Sequence, residues 1–526
     1  MNQKRIKMTK MTKEKHMIER CNYKVVKAQD THECAETQGR YWTPFLRQLF
    51  VVSGVWTIYF VLGLCYGAPT VFIPQIRKDA NSTDAVSDDM ASWLSSVHGY
   101  AALPWILILP ILIRHFGRKI PFVIVCVNTM VGFAVFYYSS TTTVLLLSEI
   151  MQGLLISSNM TLLIVVVTEY TSPRYRGIFM TIKSTIFFCG VWVANATGTF
   201  SNWKNIAFIA FICALLSLTA IFWPESPSWL AMKGRFDECA ASHRWLKGTD
   251  QDAENELESL INSQKEYLKT CFKRKDTRST IKLKGIIETV CTKAFYKPLL
   301  LSMSVMSLYN FSGRFVCSMY SVELITKITK SESTAYMGML ILEAVSIFSM
   351  LFGCLLSKFL KRRTLLLASS SLGIVFLFVI SLYLYLIKLS VISENKIISL
   401  VLLTSFSMTI SCGPMILACT VYGELTPLRF RSSSLPTLAI FSELLMATVL
   451  KLAPYIFKAF NLHGAFLFYG MSASVFAFLL YKYLPESKDK TLQEIENYFK
   501  EKSEKSDDVP EEVMYALRKR EVNEMI

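Results

Sequence analysis

Charged residues make up only 18% of this 526-residue chain, against 52% hydrophobic residues, and the mean hydropathy is positive at +0.36. That scarcity of charge excludes a water-soluble monomer of this size. The 13 cysteines follow no repeated spacing and form no C-x-x-C pair, which excludes a disulfide scaffold and a zinc cluster and leaves free thiols. No His-Asp, Ser-His or metal-spaced cluster stands among the apolar runs, so no enzyme, metal or cofactor is indicated. The start, from Met1 to about Arg47, is basic and lacks the apolar core of a signal peptide, so it reads as a polar tail and not as a cleaved leader. Acidic residues are short as well: 40 Asp and Glu against 56 Lys and Arg, a net charge of +16. Such an excess points to nucleic acid or to a membrane surface. Hydropathy selects the lipid bilayer, with no nucleic-acid partner and no obligate protein partner evident.

What the chain does have is long apolar runs. A hydrocarbon core needs roughly 20 apolar residues per helix, and runs of that kind fall in two groups of six. They lie near 50–74, 91–113, 120–138, 143–168, 178–198 and 204–223, then near 298–322, 335–357, 364–388, 396–422, 434–458 and 464–484. The fold class this predicts is an all-α membrane protein of twelve transmembrane helices in two six-helix bundles. The expected division is a tail at 1–49, a first bundle at 50–230, a linker with short helices at 231–295, a second bundle at 296–485 and a tail at 486–526.

Basic residues in short loops set the orientation. Arg114, Arg118 and Lys119 follow the second span, Arg174 and Arg176 the fourth, Lys358, Lys361, Arg362 and Arg363 the eighth, and Arg429 and Arg431 the tenth. Those loops, the linker and both termini are expected in the cytoplasm, with the chain in the plasma membrane. The first loop on the other side holds Asp79, Asp84, Asp88 and Asp89 and the sequon Asn81-Ser82-Thr83, so Asn81 is the candidate glycosylation site. The sequons at Asn159, Asn195 and Asn310 fall at or near membrane depth.

The halves also repeat. R-H-F-G-R-K (Arg114 to Lys119) matches K-F-L-K-R-R (Lys358 to Arg363), and E-Y-T-S-P-R-Y-R (Glu169 to Arg176) matches E-L-T-P-L-R-F-R (Glu424 to Arg431). Two bundles related by an axis along the membrane normal are the signature of a rocking transporter with its site between them. A Glu at a helix end and an Arg seven residues on can tie neighbouring helix ends together and hold an inner gate shut. Simple topology anchoring explains any one loop; four loops in register favour the gate.

These residues resemble the sugar porters of the major facilitator superfamily, and within them the insect facilitated trehalose transporters. The resemblance runs from about residue 50 to 500. It rests on P-E-S-P-S-W-L (Pro224 to Leu230), the following K-G-R-F-D-E-C-A-A-S-H-R-W-L-K-G, the two E-x6-R segments, and L-P-E-S-K-D-K-T-L-Q-E-I-E (Leu484 to Glu496). It implies a facilitative transporter of a sugar such as trehalose or a hexose. The implied gate residues are Arg114, Arg118, Glu149, Glu169, Arg176, Glu225, Arg362, Glu424, Arg431 and Glu486. Where the family has an Asp before the loop Arg, this chain has Arg114 and Lys358, and the family's fourth-span Arg is replaced by Glu149. An exchanged pair of Glu149 with Arg114 would preserve one tie.

The implied substrate positions depart further. The family's fifth-span Gln, seventh-span Gln-Gln-x-Ser-Gly with a following Asn, tenth-span Trp and eleventh-span Asn correspond here to Ser184, Tyr309-Asn310-Phe311-Ser312-Gly313 with Phe315, Cys419 and Ser442. Most sugar-binding amides are therefore gone. Arg314 and Glu443 stand in the seventh and eleventh spans, with Lys451 two turns on. A charge at membrane depth faces a partner or a cavity. Arg314 and Glu443 either pair across the cavity of the second half or serve a charged or strongly polar solute. Lys183 and Glu323 can snorkel, and His98 is expected to pack with a hydrogen bond. Gly63, Gly67, Gly313, Gly413 and Pro414 are candidate bending points, although close packing explains any one of them. The first span has no carboxylate, and proton-coupled members of the resembled family have one there, so the expectation is passive transport. The alternatives are a transporter of another polar or charged solute, and a non-transporting sugar sensor.

Overall fold

A chain whose apolar runs are about 20 residues long must satisfy every backbone polar group within each run, and helices do so. The computed structural model describes residues 43–80, 86–275, 293–425, 431–486 and 488, and among these it is helical without strands. Residues 43–46 begin the first helix.

The first six spans are Thr43–Asp79, Asp88–Phe116, Lys119–Tyr137, Thr142–Tyr170, Pro173–Phe200 and Asn205–Phe222. The eighth and ninth are Glu332–Phe359 and Arg362–Lys388. Ten runs among the described residues are long and apolar enough to cross a bilayer. Two features raise that number to twelve spans. Arg431–Tyr483 is one run with a non-helical Asn461 inside it, and so contains both the eleventh and the twelfth span. The seventh is divided into Lys293–Phe311, Arg314–Met319 and Ser321–Thr329 and is therefore too broken to register as one apolar helix.

The breaks have local causes. Gly313 sits at φ +75°, the left-handed region that favours glycine, and ends the helix before Arg314. The tenth span divides into Lys396–Cys412 and Pro414–Leu425, because Pro414 cannot donate to the preceding turn. Gly63 and Gly67 lie within one unbroken helix and serve close packing. A Cβ on Gly63 would run into the Phe187 carbonyl oxygen and the Gly190 backbone, and one on Gly67 into Ala194 and Val191. They are the closest crossing of the first and fifth spans, as small residues commonly are between membrane helices.

Between the halves, Pro227–Met232, Phe236–Lys247 and Gln251–Lys275 form a helical layer around Trp229, Leu230, Cys239 and Leu257. Arg244 pairs with Glu254 at 2.6 Å and Lys247 with Glu256 at 2.7 Å. Gln48 of the first span holds this layer by donating to the Leu246 carbonyl, and exchanges hydrogen bonds with Ser172. The halves meet where the second span packs on the eleventh and the fifth on the eighth. Gly99 lies against Ala447, and the Trp192 indole donates to the Leu340 carbonyl at 3.2 Å.

Replacing Gly63 by Leu should overpack this crossing by about 1–3 kcal/mol or more, lowering the thermal midpoint of the detergent-solubilised protein. Gly177, which has nothing within 4 Å of its would-be Cβ, should accept Ala without loss.

Candidate functional site

On the face carrying the basic loops, the fourth span ends at Glu169 and the loop after the second span carries Arg118. The Arg118 guanidinium donates twice to the Glu169 carboxylate, at 2.7 Å each, and Ser226 Oγ donates to the same carboxylate at 2.5 Å. Glu225 accepts the Arg118 and Lys119 backbone N–H groups at 2.8 and 3.4 Å. It thereby neutralises the N-terminus of the third span, where a carboxylate is favoured. Gly117, at φ +92°, must be glycine for this approach, since a Cβ would strike the Glu225 carboxyl group. Trp229 closes the corner by donating its indole N–H to the Arg114 carbonyl at 3.1 Å.

The second half repeats the device. Glu486 accepts the backbone N–H groups of Arg362 and Arg363 at 3.1 and 3.2 Å, at the start of the ninth span. Lys488 donates to the Lys358 carbonyl at 2.6 Å. Among the described residues, Arg176 donates to the Thr171 carbonyl at 3.4 Å. The side chains of Cys419, Glu424 and Arg431, and all of Asn81, lie outside the described residues. These ties join helix ends within one half, so they stiffen each bundle and do not bridge the two. The expected Glu149–Arg114 pair does not form. The Arg114 side chain is exposed, while Glu149 is fully buried with its Oε2 3.9 Å from His98 Nδ1.

Ties between the halves occur at the opposite end. Lys78 pairs with Glu332 at 3.1 Å and Lys451 with Asp89 at 2.9 Å. Lys451 also donates to Ser92 Oγ at 2.8 Å and lies 3.9 Å over the Trp93 ring, and Tyr455 donates to Asp89 at 2.7 Å. Among the described residues these are the ion pairs that cross between the halves. Beside them opens a cleft of about 560 Å³ lined by Thr70, Arg77, Tyr320, Glu323, Glu332 and Tyr336.

In the middle of the second half, Arg314 does not pair with Glu443. It turns to Glu343 of the eighth span, at 2.9 Å, with both side chains essentially inaccessible. Ser346 accepts from the same guanidinium at 2.8 Å, and Ser318 donates to Glu343 at 2.5 Å. Such a pair is favourable in a dry interior only when the remaining donors and acceptors are met, and here serines meet them. The break at Gly313 aims Arg314 at the eighth span. Sequence reading missed Glu343, although an acidic residue in an otherwise apolar run was the signal for it.

Of the expected substrate positions, three are turned inward. The Asn310 amide donates to the Met306 carbonyl, Ser312 to the Tyr309 carbonyl, and Ser442 to Met306 Sδ. Tyr309 and Phe315 instead join an aromatic row that crosses between the halves. The rings of Tyr309 and Phe315 lie 5.2 Å apart, Phe315 and Tyr66 6.3 Å, Tyr66 and Phe187 5.5 Å. Ser184 is half-buried on the fifth span, next to Lys183, which lies 5.1 Å over Tyr59. Glu443 is buried beside this row with Oε2 unpartnered. An aromatic face with a few polar groups around it suits the apolar face of a sugar ring.

Replacing Arg314 by Met should strand Glu343 and cost about 3–5 kcal/mol, read as lost surface expression and a lower melting temperature. Combining it with Glu343→Gln should recover most of that loss.

Three comparisons bear on this geometry. A family model described as sugar (and other) transporter matches residues 49–499. The facilitated trehalose transporter Tret1 of Apis mellifera ligustica is 22% identical over 456 residues, covering 86% of this chain and 88% of that protein. A Tret1-2 homolog of Drosophila sechellia is 25% identical over 417 residues, covering 78% and 82%. In fold, the chain superposes on the inward-open xylose transporter XylE of E. coli with a TM-score of 0.66 at 14% identity, over 86% of this chain and 99% of that one. The fold is thus the twelve-helix arrangement of the major facilitator superfamily, and the chain belongs to the family of sugar (and other) transporters.

Proposed function

We propose that the protein carries a neutral sugar, trehalose or a hexose, across the plasma membrane by alternating access, with both termini and the helical layer cytoplasmic. The observation that carries the choice of a neutral solute is the Arg314–Glu343 pair. It satisfies a buried cation that would otherwise have been a hook for an anion. The aromatic row of Tyr66, Phe187, Phe315 and Tyr309 supplies stacking surface where the family's amides are missing. The Asn310 amide N–H and the Ser442 hydroxyl donate within the bundle, and each sugar hydrogen bond is worth about 0.5–1.5 kcal/mol net. The fit is therefore one of weak binding, suited to a carrier that must also release its load.

In this reading the ties of Arg118, Glu169, Glu225 and Glu486 make each half a stiff body, and rocking works on the contacts between the halves, the outer ion pairs of Lys78 with Glu332 and Asp89 with Lys451 and the packing of Gly99 on Ala447 among them. Uptake of labelled trehalose, glucose and a panel of charged solutes into expressing cells tests the reading. Saturable uptake of a sugar and none of the charged solutes is expected; no uptake of any solute at normal surface expression would favour a sensor.

The Lys451–Asp89 pair keeps its carboxylate exposed, and pairs open to water are worth about 0.2–1 kcal/mol, so Lys451→Ala should shift the population only a few-fold toward the outward-open state. A cysteine placed at Thr70, in the outer cleft, should then react faster with an impermeant maleimide. An unchanged rate would return Lys451 to a packing role.

A further inference from the structure

Two ionisable side chains of the first half take no part in the ties or in the aromatic row's stacking surface. His98 of the second span and Glu149 of the fourth are both fully buried. Neither imidazole nitrogen and neither carboxyl oxygen makes a hydrogen bond of normal geometry, although the Gln152 amide stands near enough to interact with the Glu149 carboxyl group. Among the described residues, His98 is the ion-pair partner of Glu149, at 3.9 Å. The other titratable groups facing the pair are Cys65 and Tyr66 of the first span and, beyond Tyr66, Glu443 of the eleventh. The Tyr66 ring lies 4.9 Å from the His98 ring, edge to face.

A bare carboxylate in such a place costs several kcal/mol. With no Lys or Arg paired to it, the charge balance requires a proton in the pair, either on the carboxyl group beside a neutral imidazole or on the imidazole beside a carboxylate. The 3.9 Å gap needs to shorten by only about 1 Å to become a hydrogen bond in which that proton is shared. The site adjoins the seam between the halves, since Gly99, the residue after His98, packs on Ala447 and near the Glu443 carbonyl. Parting the second span from the eleventh would bring water to the pair, and hydration removes the cost of charge.

We propose that His98 and Glu149 form a buried proton-binding site whose occupancy changes as the two halves rock, so that transport depends on protons although the first span has no carboxylate. Uptake is the reaction of the Glu149 carboxylate with hydronium to give the carboxylic acid and water, and release is its reverse. No other bond changes. A site that holds its proton more tightly in one state than in the other necessarily makes the equilibrium between those states pH-dependent. This inference rests on the transport reading above.

The test uses the full-length protein in proteoliposomes at equal pH on both sides, from about pH 5.5 to pH 8, with labelled trehalose and glucose as probes. Wild type and Glu149→Asp should change their uptake rate by about fivefold or more across that range, whereas Glu149→Gln and His98→Gln should give flat profiles. A wild-type profile in Glu149→Gln overturns the proposal. If none of the proteins takes up either sugar at any pH, the transport reading fails, and the proton site is read without sugar by infrared spectroscopy. A carboxylic-acid C=O band present in wild type and lost in Glu149→Gln supports the site; identical spectra overturn it.

Discussion

A charge moved from water into hydrocarbon must find a partner or a hydrated cavity, and that requirement arranges this molecule from end to end. At the basic-loop face, partly hydrated carboxylates collect backbone N–H groups and one bidentate guanidinium. In the dry middle, Arg314 and Glu343 are enclosed with serines that use up their remaining hydrogen-bonding capacity. At the opposite end, lysines pair with acids whose carboxylates stand in the open, more than half exposed. The strength of an ionic contact thus follows its hydration. Strong ties lie inside each half and weak ones between the halves, which is the distribution a two-body rocking machine requires.

The internal repeat is visible in chemistry as well as in sequence. Glu225 and Glu486 perform the same task at equivalent places, each presenting a carboxylate to the first N–H groups of the next long span. The halves differ in what they bury. The second contains a complete ion pair, Arg314 with Glu343, while the first contains His98 and Glu149, which stand 3.9 Å apart. A complete pair rigidifies, because breaking it exposes two charges to a medium that cannot solvate them. An incomplete one is responsive, because hydration or a proton changes its balance.

Helix irregularities carry the remaining asymmetry. Gly313 in the left-handed region and the Gly413-Pro414 step interrupt the seventh and tenth spans, and the interrupted seventh span supplies Arg314 and Phe315 to opposite tasks. Gly63 and Gly190, by contrast, bring two helices into close contact, as Gly353 and Gly373 do in the second half.

The amino-acid sequence by itself determined the twelve spans, their grouping into halves, the repeated charge pattern and the family, because hydrocarbon thickness and backbone satisfaction impose a length and a polarity that can be read residue by residue. It also marked Arg118, Glu169, Glu225, Arg362 and Glu486, whose partners lie at short, motif-defined helix ends. Only the tertiary structure decided which buried charge meets which. Arg314 could turn toward the eighth or the eleventh span, and the conformation of Gly313 and the packing of Ser346 and Ser318 chose Glu343. Likewise Glu149 could face the basic loop or the bundle interior, and its helical phase placed it against His98. Pairings across a helical bundle depend on rotation about each axis and on the depth at which helices cross, neither of which has a signature along one chain.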